Sequence, residues 1–109
     1  MVYITRERKD ITMRVIKLRS NGRLEIKGVK NELRELQNEV GGYIETVTFT
    51  DDLIFLVDEE GVLKRRKVNP FVPGLRGDVV ICAVRGEEFA GLSLMKARKI
   101  AKLFGNKEG

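Results

Sequence analysis

Two adjacent glycines, Gly41-Gly42, stand mid-chain between a stretch of helical period and a stretch of strand period, in the segment Leu36 to Glu45 (LQNEVGGYIE). Upstream, Leu33, Leu36, Gln37 and Val40 fall at i, i+3, i+4 and i+7, one face of a helix with Gln37 as its polar member, and Asn31 is a residue type that caps helix N-termini. Gly41 is suited to end that helix, because glycine accepts the left-handed conformation favoured at a helix C-terminus. Downstream, Tyr43 to Phe49 is β-rich, with Tyr43, Glu45 and Val47 on one sheet face and Ile44, Thr46 and Thr48 on the other. A helix must therefore hand over to a strand within two residues, and the fold has to be built around that reversal.

The remaining pattern supplies the partners. Ile11 to Leu18 alternates as a half-buried strand, Ser20-Asn21-Gly22 is a hairpin turn signal, and Leu24 to Ile26 returns along it. Leu53 to Val57 and Val62 to Val68, separated by Asp58-Glu59-Glu60-Gly61, extend Tyr43 to Phe49 into a three-strand meander. Asn69-Pro70 and Pro73-Gly74 mark an irregular connection before a strand at Asp78 to Val84. After a turn at Gly86, Ser93 caps a final helix from Leu94 to Phe104, with Leu94, Ala97, Ile100, Ala101 and Phe104 towards the core. The expected class is α+β, in the order ββαβββ(loop)βα: a mainly antiparallel sheet of about five to six strands with two helices on one face. The 109 residues make one domain, with 1–10 and 105–109 expected to be flexible.

Composition narrows the function. With 42% hydrophobic and 34% charged residues the chain has enough apolar surface to fold. No apolar run approaches the roughly 18 residues that span a bilayer, and Met1 to Asp10 is not signal-like, so a cytoplasmic location and no membrane partner are expected. Cys82 lies in the apolar run Asp78 to Val84 and reads as an inert core thiol. No histidine exists, which removes Ser-His, Cys-His and imidazole–metal chemistry. Asp51, Asp52, Asp58, Glu59 and Glu60 lack calcium-loop spacing and read as solvated acidic turns. No catalytic residue, metal or cofactor is assigned, and a non-enzyme is expected.

Charge is segregated. Residues 1–36 carry ten Lys/Arg and five Asp/Glu, residues 37–63 carry seven Asp/Glu and no Lys/Arg, and residues 64–109 carry eleven Lys/Arg and four Asp/Glu. Either the basic flanks pair with the acidic centre, or they meet in space and form a face for a polyanion.

The run Leu36-Gln37-x-x-Val40-Gly41-Gly42-Tyr43-Ile44-Glu45, followed by Glu59-Glu60-Gly61, Asn69 and a hydrophobic strand near Gly77, resembles a family of small proteins of phages, plasmids and bacterial genomes that is classed as a domain of unknown function. The resemblance covers roughly residues 30 to 104 and leaves out the N-terminal hairpin; Asp58 stands where members often carry Asn. It implies the order of elements and a mobile-element context.

Two sets of candidate residues follow. Gln37, Gly41, Gly42, Tyr43, Glu45 and Asn69 are placed to line a ligand pocket, with the ring stacking, the polar groups reading a base or amide, and bare glycine N–H groups meeting a phosphate or carboxylate. The competing reading is an internal network in which Gly41 merely stops the helix. Lys64, Arg65, Arg66 and Lys67, with Lys96, Lys99 and Lys102 on the polar side of the last helix beside Arg98, are candidates for phosphate contact or a solvated face. The resulting expectation is a non-enzymatic binding module for nucleic acid or a nucleotide-like anion, or alternatively a protein-binding regulator of a host factor; a homodimer through an exposed sheet edge is a further partner expectation.

Overall fold

The computed structural model describes residues 8–105, with side chains from residue 12 onward. Strands β1 (Arg8–Leu18) and β2 (Leu24–Asn31) form a hairpin, helix α1 (Leu33–Val40) follows, and β3 (Ile44–Thr50) pairs with β4 (Leu53–Asp58). After a long loop come β5 (Val79–Arg85), a short β6 (Glu88–Ala90) and helix α2 (Leu94–Leu103). These six described strands form one antiparallel sheet in the order β2-β1-β5-β4-β3, with β6 added beside β5, so β2 and β3 are its edges. The α+β class holds. Arg8–Asp10, expected to be flexible, open β1, whereas residues 1–7 and 106–109 lie outside the described residues.

The two helices, expected on one face, cover opposite faces. Met13, Val15, Ile54, Leu56, Val80 and Cys82 pack with Leu36 and Val40 of α1. Their strand neighbours Ile16, Leu18, Leu53, Phe55, Val57, Val79 and Ile81 pack with Ala97 and Ile100 of α2. Period-2 alternation sends adjacent side chains to opposite faces, so the unbroken apolar runs of β4 and β5 needed a cover on each side. On the α2 side Phe49 stacks on Phe55 at 4.7 Å between ring centroids, and Phe104 closes the cluster at 5.8 Å from Phe49. Cys82 is buried, and desolvation pushes its thiol up to about 12, consistent with an inert core position.

Val62 to Val68, expected as a third meander strand, is not one. Residues 58–66 coil through successive turns, with Gly61 N–H to Asp58 O at 3.0 Å, Lys64 N–H to Glu60 O at 2.9 Å and Arg66 N–H to Gly61 O at 2.9 Å. Arg65 takes a left-handed φ of 56°, which no strand accommodates. Beyond it, a single bridge between Val68 and Arg76 closes the loop, and β6, absent from the expected order, supplies the sixth strand. Asn31 likewise does not cap α1. It ends β2, Glu32 occupies the cap position without a side-chain bond, and Asn31 Oδ1 is buried with no partner among the described residues. Ser93 does cap α2, its hydroxyl accepting from Lys96 N–H at 3.1 Å.

Asn69 holds the long loop. Its side chain is fully buried, with Nδ2 donating to Leu18 O and Gly77 O, both at 2.9 Å, and Oδ1 accepting from Phe71 N–H at 2.9 Å and Val72 N–H at 3.2 Å. One amide therefore ties residues 69–77 to the end of β1. Asn69→Ala leaves those backbone groups without partners, and a loss of roughly 3 kcal/mol is expected in urea unfolding with little change in the denaturant slope.

Candidate functional site

The geometry around Gly41-Gly42 is set by a buried carboxylate. Asp58, at the end of β4, has its Oδ2 bonded by Arg66 Nε at 2.8 Å and Lys64 Nζ at 2.9 Å, while Oδ1 accepts from Glu60 N–H at 2.9 Å. Burial alone would raise its pKa. The hydrogen bonds from Lys64, the Glu60 N–H and Arg66 outweigh that and hold it at about 2. Arg66 and Lys64 also donate to Gly41 O, at 3.0 and 3.3 Å. Helix α1 has no basic residue in its last turn, so these two cations from the distant loop supply the positive charge its C-terminus favours.

The glycines are explained by this cluster. Gly41 caps α1 at φ 86°, and both glycine N–H groups donate to Gln37 O, at 2.8 and 3.1 Å. They are therefore not free to hold a phosphate, which removes the bare N–H surface expected from the sequence. A Cβ on Gly42 would lie 2.6 Å from Asp58 Oδ1, and one on Gly41 2.7 Å from the Arg66 guanidinium. The double glycine is thus where the ion cluster approaches the backbone.

Beside it opens a cleft of about 410 Å³, lined by Gln37, Asn38, Gly41, Gly42 and Tyr43 with Glu60 and Lys64 on its rim. Four of the six ligand candidates and one of the basic candidates converge here. Tyr43 is 66% exposed, and neither its hydroxyl nor the side-chain amides of Gln37 and Asn38 bond to any described residue. Glu45 is exposed on β3 outside this lining, and Asn69 is committed to the loop, so the structure does not bring these two to the cleft. Asn38 was missed by the sequence reading because it lies off the apolar face of α1; adjacency to Gln37 just before the glycines was the available signal.

A second polar cleft, of about 260 Å³, lies across Gly41 and Asn38 and reaches Lys17, Glu39, Lys67 and Asp78. Glu39 receives Lys17 Nζ at 3.0 Å and Lys27 Nζ at 3.1 Å; burial opposes its ionised form, but these two lysines keep its pKa lowered. With Lys96 on Asp52 at 2.6 Å, both basic flanks pair with the acidic centre. Lys64, Arg66 and Lys96 are therefore engaged, while Arg65, Lys67, Lys99 and Lys102 are exposed without a carboxylate partner among the described residues. The run Lys64–Lys67 sits at the end of α1 and the α2 cations across the sheet, so they are not one basic face.

A family model for a domain of unknown function, DUF3846, matches residues 13–105. The chain belongs to the DUF3846 family. The match begins inside β1, so the hairpin that the motif resemblance left out is part of the DUF3846 domain. No match was found among curated proteins or among solved structures. Among the described residues of this DUF3846 domain no three Asp, Glu or Cys side chains converge to hold a metal ion, and no helix is long and apolar enough to cross a membrane.

Because the Asp58 pKa is depressed in the folded state, its stabilisation is present above the ordinary carboxylate value of 3.8 and is lost as pH falls towards about 2. On the order of 1–2 kcal/mol should disappear across that window, after allowance for the partly exposed cations. Urea unfolding between pH 5 and pH 2, as round trial values, checks it; Asp58→Asn should be less stable at neutral pH and should lose this acid dependence. Gly42→Ala forces the carboxylate aside and is expected to cost about 1–3 kcal/mol by the same assay.

Proposed function

We propose that this DUF3846 domain is a non-enzymatic binding module, an accessory protein of phage or mobile-element type, whose cleft beside Gly41-Gly42 takes a nucleotide or a single-stranded nucleic-acid segment. One observation carries the reading. An exposed aromatic ring, Tyr43, lines the same cleft as two amides, Gln37 and Asn38, whose side chains make no hydrogen bond among the described residues, and one cation, Lys64. A base has a π-face for the ring and donor–acceptor edges for amides, and stacking on an exposed aromatic is worth about 1–3 kcal/mol per base. The rim bears Glu60 as well as Lys64, so the cleft suits a base with few phosphates better than a dense polyanion. The mobile-element context is supported by the LQ-x-x-VGGYIE resemblance.

Amide chemical-shift titration with mononucleotides, dinucleotides and short single strands tests the reading. The expected result is shifts clustered at Gln37, Asn38 and Tyr43, with affinity falling roughly ten-fold or more in Tyr43→Ala. That variant should unfold within about 0.5 kcal/mol of the parent, because the ring is largely outside the core. Absence of shifts with every nucleotide at millimolar concentration, or binding unchanged in Tyr43→Ala, would sink the proposal.

A further inference from the structure

Helix α2 is both cationic and aliphatic on the side turned away from the sheet. Ala97, Ile100 and Ala101 are buried against the core, and all the rest except Lys96 fall into two neighbouring rows at i, i+4 and i+8: Leu94, Arg98 and Lys102 in one, Met95, Lys99 and Leu103 in the other. Between the rows lies a groove of about 450 Å³, lined by Leu94, Met95, Arg98, Lys99 and Lys102. On the far side of the second row a further groove, of about 630 Å³, is lined by Met95, Lys99 and Leu103 together with Thr50 and Leu53 of the β3–β4 pair. Met95 and Leu103 are 69% and 76% exposed. The helix contains no acidic residue; Lys96 is paired with Asp52, whereas Arg98, Lys99 and Lys102 have no carboxylate partner among the described residues.

We propose that this surface docks an acidic amphipathic helix of another protein, a segment with aliphatic side chains three and four residues apart and Asp or Glu beside them. Rows at i±4 are the ridges by which helices pack, and a groove between two of them takes the corresponding ridge of a partner helix. Leucine and methionine give that groove an adaptable aliphatic floor. The three uncompensated cations set the sign of the partner: carboxylates seated beside Arg98, Lys99 and Lys102 fix its register, and a basic helix is repelled. A lipid surface fits less well. In an interfacial helix the cations and the apolar side chains lie on opposite faces, whereas Lys99 stands in one row between Met95 and Leu103, so burying those two in acyl chains draws the ammonium in with them. Nucleic acid also fits less well, because no aromatic side chain lines either groove for a base to stack on and a phosphate backbone leaves the exposed leucine and methionine uncovered. One helix laid on another makes a small interface, so the association is a weak one. It does not rest on what the Tyr43 cleft binds.

Selection of the full chain against a displayed library of peptides about four helical turns long, each position drawn from Leu, Ala, Glu and Lys, tests this. The expected result is enrichment of sequences with Glu in excess of Lys and Leu spaced at three and four, binding with a Kd on the order of micromolar. Lys99→Glu/Lys102→Glu should weaken the selected peptides roughly ten-fold or more, and Met95→Ser/Leu103→Ser, which leaves every charge in place, about ten-fold. All four side chains are exposed, so both variants should unfold like the parent. No enrichment, enrichment without an excess of Glu, or affinity unchanged in either double variant overturns the proposal. So does binding of phosphatidylserine vesicles or random duplex DNA that is tighter than that of the selected peptides and is lost in Lys99→Glu/Lys102→Glu, which assigns the helix to those partners. Self-association of the free chain that is lost in Met95→Ser/Leu103→Ser also overturns it and assigns the surface to a second copy.

Discussion

Asp58 is the last residue of β4, and its carboxylate is buried where the end of α1, the sheet and the basic loop meet. An ionised carboxylate in such a place is costly unless charged donors surround it, and the loop after β4 curls back so that Lys64 and Arg66 can do so. Several features follow from that one requirement. The segment 62–68 is withdrawn from the sheet, the α1 C-terminus gains two cations at Gly41 O, and the backbone opposite must be glycine at 41 and 42. Gly77 belongs to the same set, since a Cβ there would lie 2.7 Å from the Arg66 side chain.

The cleft is a by-product of this arrangement. Once the loop is drawn onto Gly41, Lys64 and Glu60 become one wall and the last turn of α1 the other, with Tyr43 left outside the core at the start of β3. Residues that hold the fold and residues free to meet a ligand are interleaved here at neighbouring positions. Lys64 does both, through Asp58 and in the cleft, whereas the side chains of Tyr43, Gln37 and Asn38 have no hydrogen bond to keep among the described residues. This division explains why the polar set singled out from the pattern separated in space. Asn69 looked like a pocket residue, yet four hydrogen bonds consume its amide 0% exposed in the loop.

Charge segregation along the chain resolves similarly. Glu39 and Asp58 are shielded from solvent and bonded to more than one cation, drawing on Lys17 and Lys27 from one flank and Lys64 and Arg66 from the other. These pairs bridge β1, β2, α1 and the loop, so the acidic centre works largely as an internal counter-charge. What remains unpaired is dispersed, and on α2 it lies beside exposed leucine and methionine.

Periodicity and turn chemistry alone determined much of this protein. The β1–β2 hairpin, α1 ending at Gly41, the β3–β4 pair, the apolar strand holding Cys82, and α2 capped by Ser93 were legible because each is a local pattern of side chains read against a fixed backbone repeat. Tertiary structure decided three things that local pattern does not carry. Helix α2 crosses to the face opposite α1, because both faces of β4 and β5 are apolar and a period of two cannot say which helix covers which. The β-like run Val62–Val68 stays out of the sheet, because Asp58 claims its cations. And the meaning of Gly41-Gly42, a helix stop from sequence, is completed only by the carboxylate and guanidinium that approach it from residues 58 and 66, contacts made through space.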